Sequence, residues 1–143
     1  MKDKRQREAG FTLIELMIVL FILGLLAALV APRLMGRVGM AKQKTAQTQI
    51  QMLATTLDLF HLDVGRYPTE EEGLKVLYTK PDNLPAWSGP YLDKPAPKDP
   101  WGRDYIYKCP GEHGPYDLSS LGADGQVGGE GENADITNWQ QAK

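Results

Sequence analysis

Gly10-Phe11-Thr12-Leu13-Ile14-Glu15-Leu16-Met17-Ile18-Val19-Leu20-Phe21-Ile22-Leu23-Gly24-Leu25-Leu26-Ala27-Ala28-Leu29-Val30-Ala31 is the stretch whose reading decides the fold. Glu15 is its one charged side chain. As a helix rising ~1.5 Å per residue, Phe11–Ala31 spans roughly 30 Å, the thickness of a bilayer core. Apolar residues fall on every face of that helix. Such a rod suits lipid or a bundle of like helices, not one side of a water-exposed domain.

Upstream lie Lys2, Lys4, Arg5 and Arg7. A basic start before an apolar run has the order of a secretory leader. Here, however, the run is too long, no small-x-small site follows at Ala31-Pro32, and the small residue, Gly10, precedes it. The basic start predicts a cytoplasmic N-terminus, with everything after Arg33 on the far side of the membrane. Glu15 is out of place five residues into the run. A charge at bilayer depth costs on the order of 2.5–3.5 kcal/mol. Glu15 either sits near the interface and snorkels, or pairs with a cation from another chain.

Downstream, Pro32 removes one helical hydrogen bond and favours a kink. Gly36 and Gly39 weaken the helix by a further ~1 kcal/mol each relative to Ala. From Ala41 the pattern turns amphipathic. Ala46, Ile50, Leu53, Ala54, Leu57, Phe60 and Val64 recur at gaps of three and four, which is one helical face. The helix is therefore expected to continue as a stalk over 32–65. Thr69 and Glu72 fit a capping box that opens a short helix to about Thr79, burying Leu74, Leu77 and Tyr78, with Pro81 as its stop. Eight of the ten prolines fall between 81 and 115, which predicts turns and extended connections. Strands are expected at 104–109 and 116–120, and Asp99-Pro100-Trp101-Gly102 reads as a turn with a buried aromatic. The fold class is α+β, one domain of residues 66–143 with a long helix before it.

Residues 121–136 form a loop of five glycines and four carboxylates, Asp124, Glu130, Glu132 and Asp135. Glycines permit backbone angles that turn carbonyls inward. Carbonyls with carboxylates make the oxygen-rich surroundings that calcium prefers. Asp124, Gly129 and Asp135 fall at positions 1, 6 and 12 of an EF-hand count. Gln126 and Gly128 stand where acids are needed, and no flanking helices are expected, so an EF-hand is rejected. Asp117, nearby, is expected to be exposed on its strand.

Charge and composition exclude other classes. Residues 1–40 carry six Lys/Arg against three acids, and residues 41–143 carry ten against fifteen. An acidic domain without clustered Lys or Arg is a poor nucleic-acid binder. Cys109 is the only cysteine, so no intramolecular disulfide forms. His61 and His113 have no ligand or triad spacing with Cys109 and are expected to be structural. No phosphate loop or nucleophile elbow is present, and the chain is not expected to be an enzyme.

Gly10-Phe11-Thr12-Leu13-Ile14-Glu15-Leu16, between a short basic leader and an apolar helix, resembles the class III signal of type IV pilins and pseudopilins. The resemblance implies removal of residues 1–10 by a prepilin peptidase cutting after Gly10. By the same resemblance Phe11 would become the N-methylated amino terminus, and Glu15 would neutralise that of a neighbouring subunit during assembly. Arg66-Tyr67-Pro68-Thr69, Lys98-Asp99-Pro100-Trp101-Gly102 and the acidic loop narrow the likeness to the major pseudopilins of the type II secretion system. True type IV pilins usually close their C-terminal region with a disulfide, which one cysteine cannot supply. The resemblance implies a pilin-like lollipop whose loop binds calcium through the side chains of Asp124 and Asp135 and the carbonyls of Leu121 and Gln126. It also implies a single-pass inner-membrane protein with a periplasmic domain. The partners would be further copies in a homopolymer, minor pseudopilins, the prepilin peptidase and an inner-membrane assembly platform. The alternative is a type IV pilin-like subunit for adhesion or DNA uptake.

Overall fold

A computed structural model describes residues 10–140; the basic leader, residues 1–9, lies outside the described part. The chain divides into two compact units between Arg37 and Val38. One helix, α1 (Leu13–Val64), supplies 52 residues to them and holds Pro32 within it. In the first unit the described side chains from Phe11 to Ala31 are all exposed. Length and composition allow this part of α1 to cross a membrane. Thr12 and Glu15 close its N-terminus as a capping box that the sequence already spells as Thr-x-x-Glu. The Glu15 carboxylate accepts the Thr12 amide at 2.8 Å, and the Thr12 hydroxyl accepts the Glu15 amide at 3.3 Å.

In the second unit α1 presents the expected stripe. Ala46, Ile50, Leu53, Leu57 and Phe60 are fully or almost fully buried, with Ala54 and Val64 packed at the margin. Burying each large side chain contributes roughly 1.5–3 kcal/mol. The helix stops where the Gly65 amide reaches the His61 carbonyl at 2.8 Å, with Gly65 left-handed at φ 81°.

The second capping box forms as expected: the Glu72 carboxylate accepts the Thr69 amide at 2.8 Å and the Thr69 hydroxyl accepts the Glu72 amide at 3.2 Å. The helix after it differs from expectation. It is a 3-10 helix, Gly73–Leu77, that buries Val76 and Leu77, leaves Leu74 only half-buried and leaves Tyr78 exposed. Gly73 sits at φ 55°, an angle an α-helix cannot pass through, so the capped turn ends and a tighter one restarts. At three residues per turn, positions 74 and 77 eclipse and Tyr78 swings off the buried face.

Three strands complete the domain: β1 (Ile106–Lys108), β2 (Asp117–Ser120) and β3 (Ile136–Thr137), antiparallel in that order. Tyr107 faces Leu118 across β1 and β2, and Ser120 faces Ile136 across β2 and β3. Tyr105, Tyr116, Leu118 and Ile136 join the helical stripe in one core. The tyrosines keep their hydroxyls satisfied, Tyr105 on Gln49 at 2.5 Å and Tyr107 on the Pro68 carbonyl at 2.8 Å.

Candidate functional site

The N-terminal apolar segment holds three of the sequence-predicted residues. Gly10 and Phe11 are exposed, Phe11 at 90%, just before α1. The Glu15 carboxylate also accepts the Thr12 hydroxyl at 2.9 Å. In the isolated chain Glu15 therefore has a local partner, and its remaining acceptor capacity is open to a donor from outside.

The acidic loop is tied to the domain at several points. Its five glycines, at 122, 125, 128, 129 and 131, all have positive φ. Gly129 also has no room for a side chain, since a Cβ there would stand 2.6 Å from the Asn133 carbonyl oxygen. Asp124 Oδ1 accepts the Gln126 amide at 3.0 Å, and Asp135 Oδ2 accepts the Gly128 amide at 2.8 Å. The Leu121 carbonyl accepts the Gly125 amide at 3.2 Å. Asp135 Oδ1 is buried without a partner. A buried acceptor left over on a carboxylate is what a bound cation would satisfy. Among the described residues no three His, Cys, Asp or Glu side chains gather as metal ligands, so an ion here needs backbone oxygens as well.

Two contributors were not foreseen. The Arg103 guanidinium packs against Gly125 and donates to the Gly122 carbonyl. Gln43, on α1, donates to carbonyls at the far end of the loop. No local pattern marks either residue, because both lie far from the loop in sequence.

Asp117 corrects the sequence reading: it is buried, not exposed. Its carboxylate accepts the amides of Glu112 and His113 at 3.0 and 3.1 Å and meets His113 Nδ1 at 2.9 Å. The His113 ring stacks on Trp139, with centroids 4.1 Å apart and planes 2° from parallel. Burial opposes the Asp117 charge, but the histidine and the two amides outweigh it and hold its pKa below the ordinary aspartate value. His61 packs edge-on against Tyr67, and Cys109 is a half-buried free thiol.

Residues 33–139 match the family described as "Type II secretion system (T2SS), protein G", and residues 5–31 match the prokaryotic N-terminal methylation motif. The chain is 49% identical to the type II secretion system core protein G of Vibrio cholerae, across 95% of this chain and 94% of that one. It is 47% identical to that of Pseudomonas aeruginosa, across 95% and 98%. The crystal structure of the major pseudopilin from the type 2 secretion system of enterohaemorrhagic Escherichia coli is similar, with a TM-score of 0.62 and 38% identity. It covers 76% of this chain and 95% of its own. The family is one of structural pseudopilins, with pilus-like assembly and prepilin processing, and not an enzyme family. A methylation motif on the exposed apolar helix, a domain of the pseudopilin fold and relatives matched along nearly their whole length agree: the chain belongs to the type II secretion system protein G family, the major pseudopilins.

Proposed function

We propose that the chain is inserted in the inner membrane through Phe11–Ala31, with its leader cytoplasmic and its domain periplasmic. It is then cleaved after Gly10, N-methylated on Phe11 and polymerised into the periplasmic filament whose growth drives folded proteins across the outer membrane. The observation that carries this reading is that every residue of the apolar segment 11–31 is exposed in the single chain. So long an apolar surface needs lipid before assembly and other copies of the same helix afterwards. Burial among helices also places Glu15 in a medium of low dielectric. There it selects the axial register that brings its carboxylate to a neighbour's new amino terminus. Minor pseudopilins and an inner-membrane platform would start and feed that polymer. Intact-mass measurement of the purified protein tests the processing, with loss of residues 1–10 and gain of one methyl expected. Electron microscopy after overproduction tests the polymer. An unprocessed, solitary protein would overturn the reading.

The loop is proposed to bind calcium through Asp124 and Asp135, with the Leu121 and Gln126 carbonyls completing the oxygen set. The unpartnered Asp135 Oδ1 supports the fit. The ion would cross-link a glycine-rich loop that no disulfide can staple.

A further inference from the structure

The loop that carries the candidate ligands also reaches the helix. Gln43 Nε2 lies 2.9, 3.1 and 3.0 Å from the carbonyl oxygens of Gly131, Glu132 and Ala134. One side-chain amide has two hydrogens, so three carbonyls converge on a single donor group. The Glu132 side chain lies along the same helix. A Cβ on Gly39 would stand 2.8 Å from Glu132 Oε2, so only glycine lets the carboxylate approach. Glu132 Oε1 accepts the Trp101 indole N–H at 3.3 Å. Gly39 and Gln43 are four residues apart, hence on one face of α1. Gly39 is buried, while Gly36, Arg37, Val38 and Met40 around it are exposed.

We propose that residues 131–134 form a strap across α1 at Gly39 and Gln43, with Gln43 as its positioning residue. The strap fixes where the domain's hold on the helix begins, so that loop and helix open together. The helix just upstream contains Pro32 and Gly36, two of its unfavourable residues by propensity. An opening that starts there meets its first tertiary ties at Gly39 and Gln43, ahead of buried Ala46 and Ile50. Conversely, a loosened loop takes the acceptors away from Gln43 and leaves residues 39–43 on helix propensity alone. The strap is made by the carbonyls of 131, 132 and 134, none of them a proposed ion ligand, so it is a device distinct from the metal reading.

Hydrogen exchange on the full chain in detergent micelles tests the strap. Gln43→Met keeps the side chain's size and helix propensity and removes both donors. Amides of residues 39–46 and of 121–135 should both exchange at least tenfold faster, while those of Leu53–Phe60 keep their protection. Acceleration in the loop alone, or in neither segment, overturns the proposal. If Gln43→Met loses protection throughout, Glu132→Ala decides, since it frees the strap from Gly39 and Trp101 at an exposed residue. Paired acceleration of the two segments upholds the strap, and an unchanged helix segment rejects it.

Discussion

The Ser120 hydroxyl donates a 2.7 Å hydrogen bond to Asp99 Oδ2, joining two buried residues from the Asp-Pro-Trp-Gly turn and the middle strand. Asp99 Oδ1 accepts the amides of Trp101 at 3.1 Å and Arg103 at 2.8 Å. One carboxylate thus shapes the turn, docks it on the sheet and sets the backbone of the arginine that reaches the glycine loop. Removing it leaves three donors without partners, at about 1–3 kcal/mol for each that stays buried. Asp99→Ala should therefore lower the domain's stability by roughly 3 kcal/mol or more, and Ser120→Ala by about 1. Denaturant titration followed by tryptophan fluorescence checks both. Equal, small losses for the two variants would show that the turn holds itself.

Acid should weaken the domain through two carboxylates. A two-pronged hydrogen bond from Arg66, at 2.7 and 2.8 Å, holds Glu72 down at about 2. Asp117 is also held low, as described above. A depressed folded-state pKa gives stability that is present above the unfolded value and lost as pH falls. For Glu72 the loss should run from about pH 4.3, the ordinary glutamate value, down to about 2. Melting temperatures across that window should fall less steeply in Glu72→Gln than in the unaltered chain. Identical slopes would mean that the exposed arginine contributes nothing.

Much of this was legible in the sequence because it is written in local periodicity. The stripe from Ala46 to Phe60 recurs at gaps of three and four, the Thr69–Glu72 box is a single gap of three, and both are in place. What was not legible depends on the chain returning to itself. The strand β3 has two residues and no alternation to read. Asp117 stands on a strand, but the turn at Glu112 and His113 folds back and covers it with amides. Asp99 looked like a turn residue because its bond to Ser120 crosses 21 positions. The loop's glycines and carboxylates were plain in its composition, yet the side chains that hold it, Arg103 and Gln43, come from other elements.

Processing and assembly should separate at Gly10 and Glu15. A bulky residue at Gly10 should leave the leader uncut, as read by intact mass. Glu15→Ala should be cut yet fail to build filaments. Because Glu15 also caps α1 through Thr12, the alanine variant loses a cap as well as a charge. Glu15→Gln resolves the two roles, since glutamine can serve at this position of a capping box without the charge. If the charge selects the register, the glutamine variant assembles as poorly as alanine. Normal filaments from it would leave capping as the residue's whole role.

Calcium should raise the melting temperature of the domain by an amount that depends on Asp124 and Asp135. A ligand present at a hundredfold excess over its dissociation constant stabilises by about 2.7 kcal/mol. For a domain of this size that is a rise of roughly 10–20 °C, reversed by chelator. Asp124→Ala and Asp135→Ala should abolish the difference. Magnesium should not restore it, because that smaller ion demands a regular octahedron and gives up its waters reluctantly. Gln43→Met helps to separate the ion from the strap, since it changes none of the proposed ligands and should keep a calcium-dependent shift. If the unaltered chain melts identically with calcium and with chelator, the buried Asp135 oxygen is satisfied in some other way, and the loop holds itself through its glycine turns.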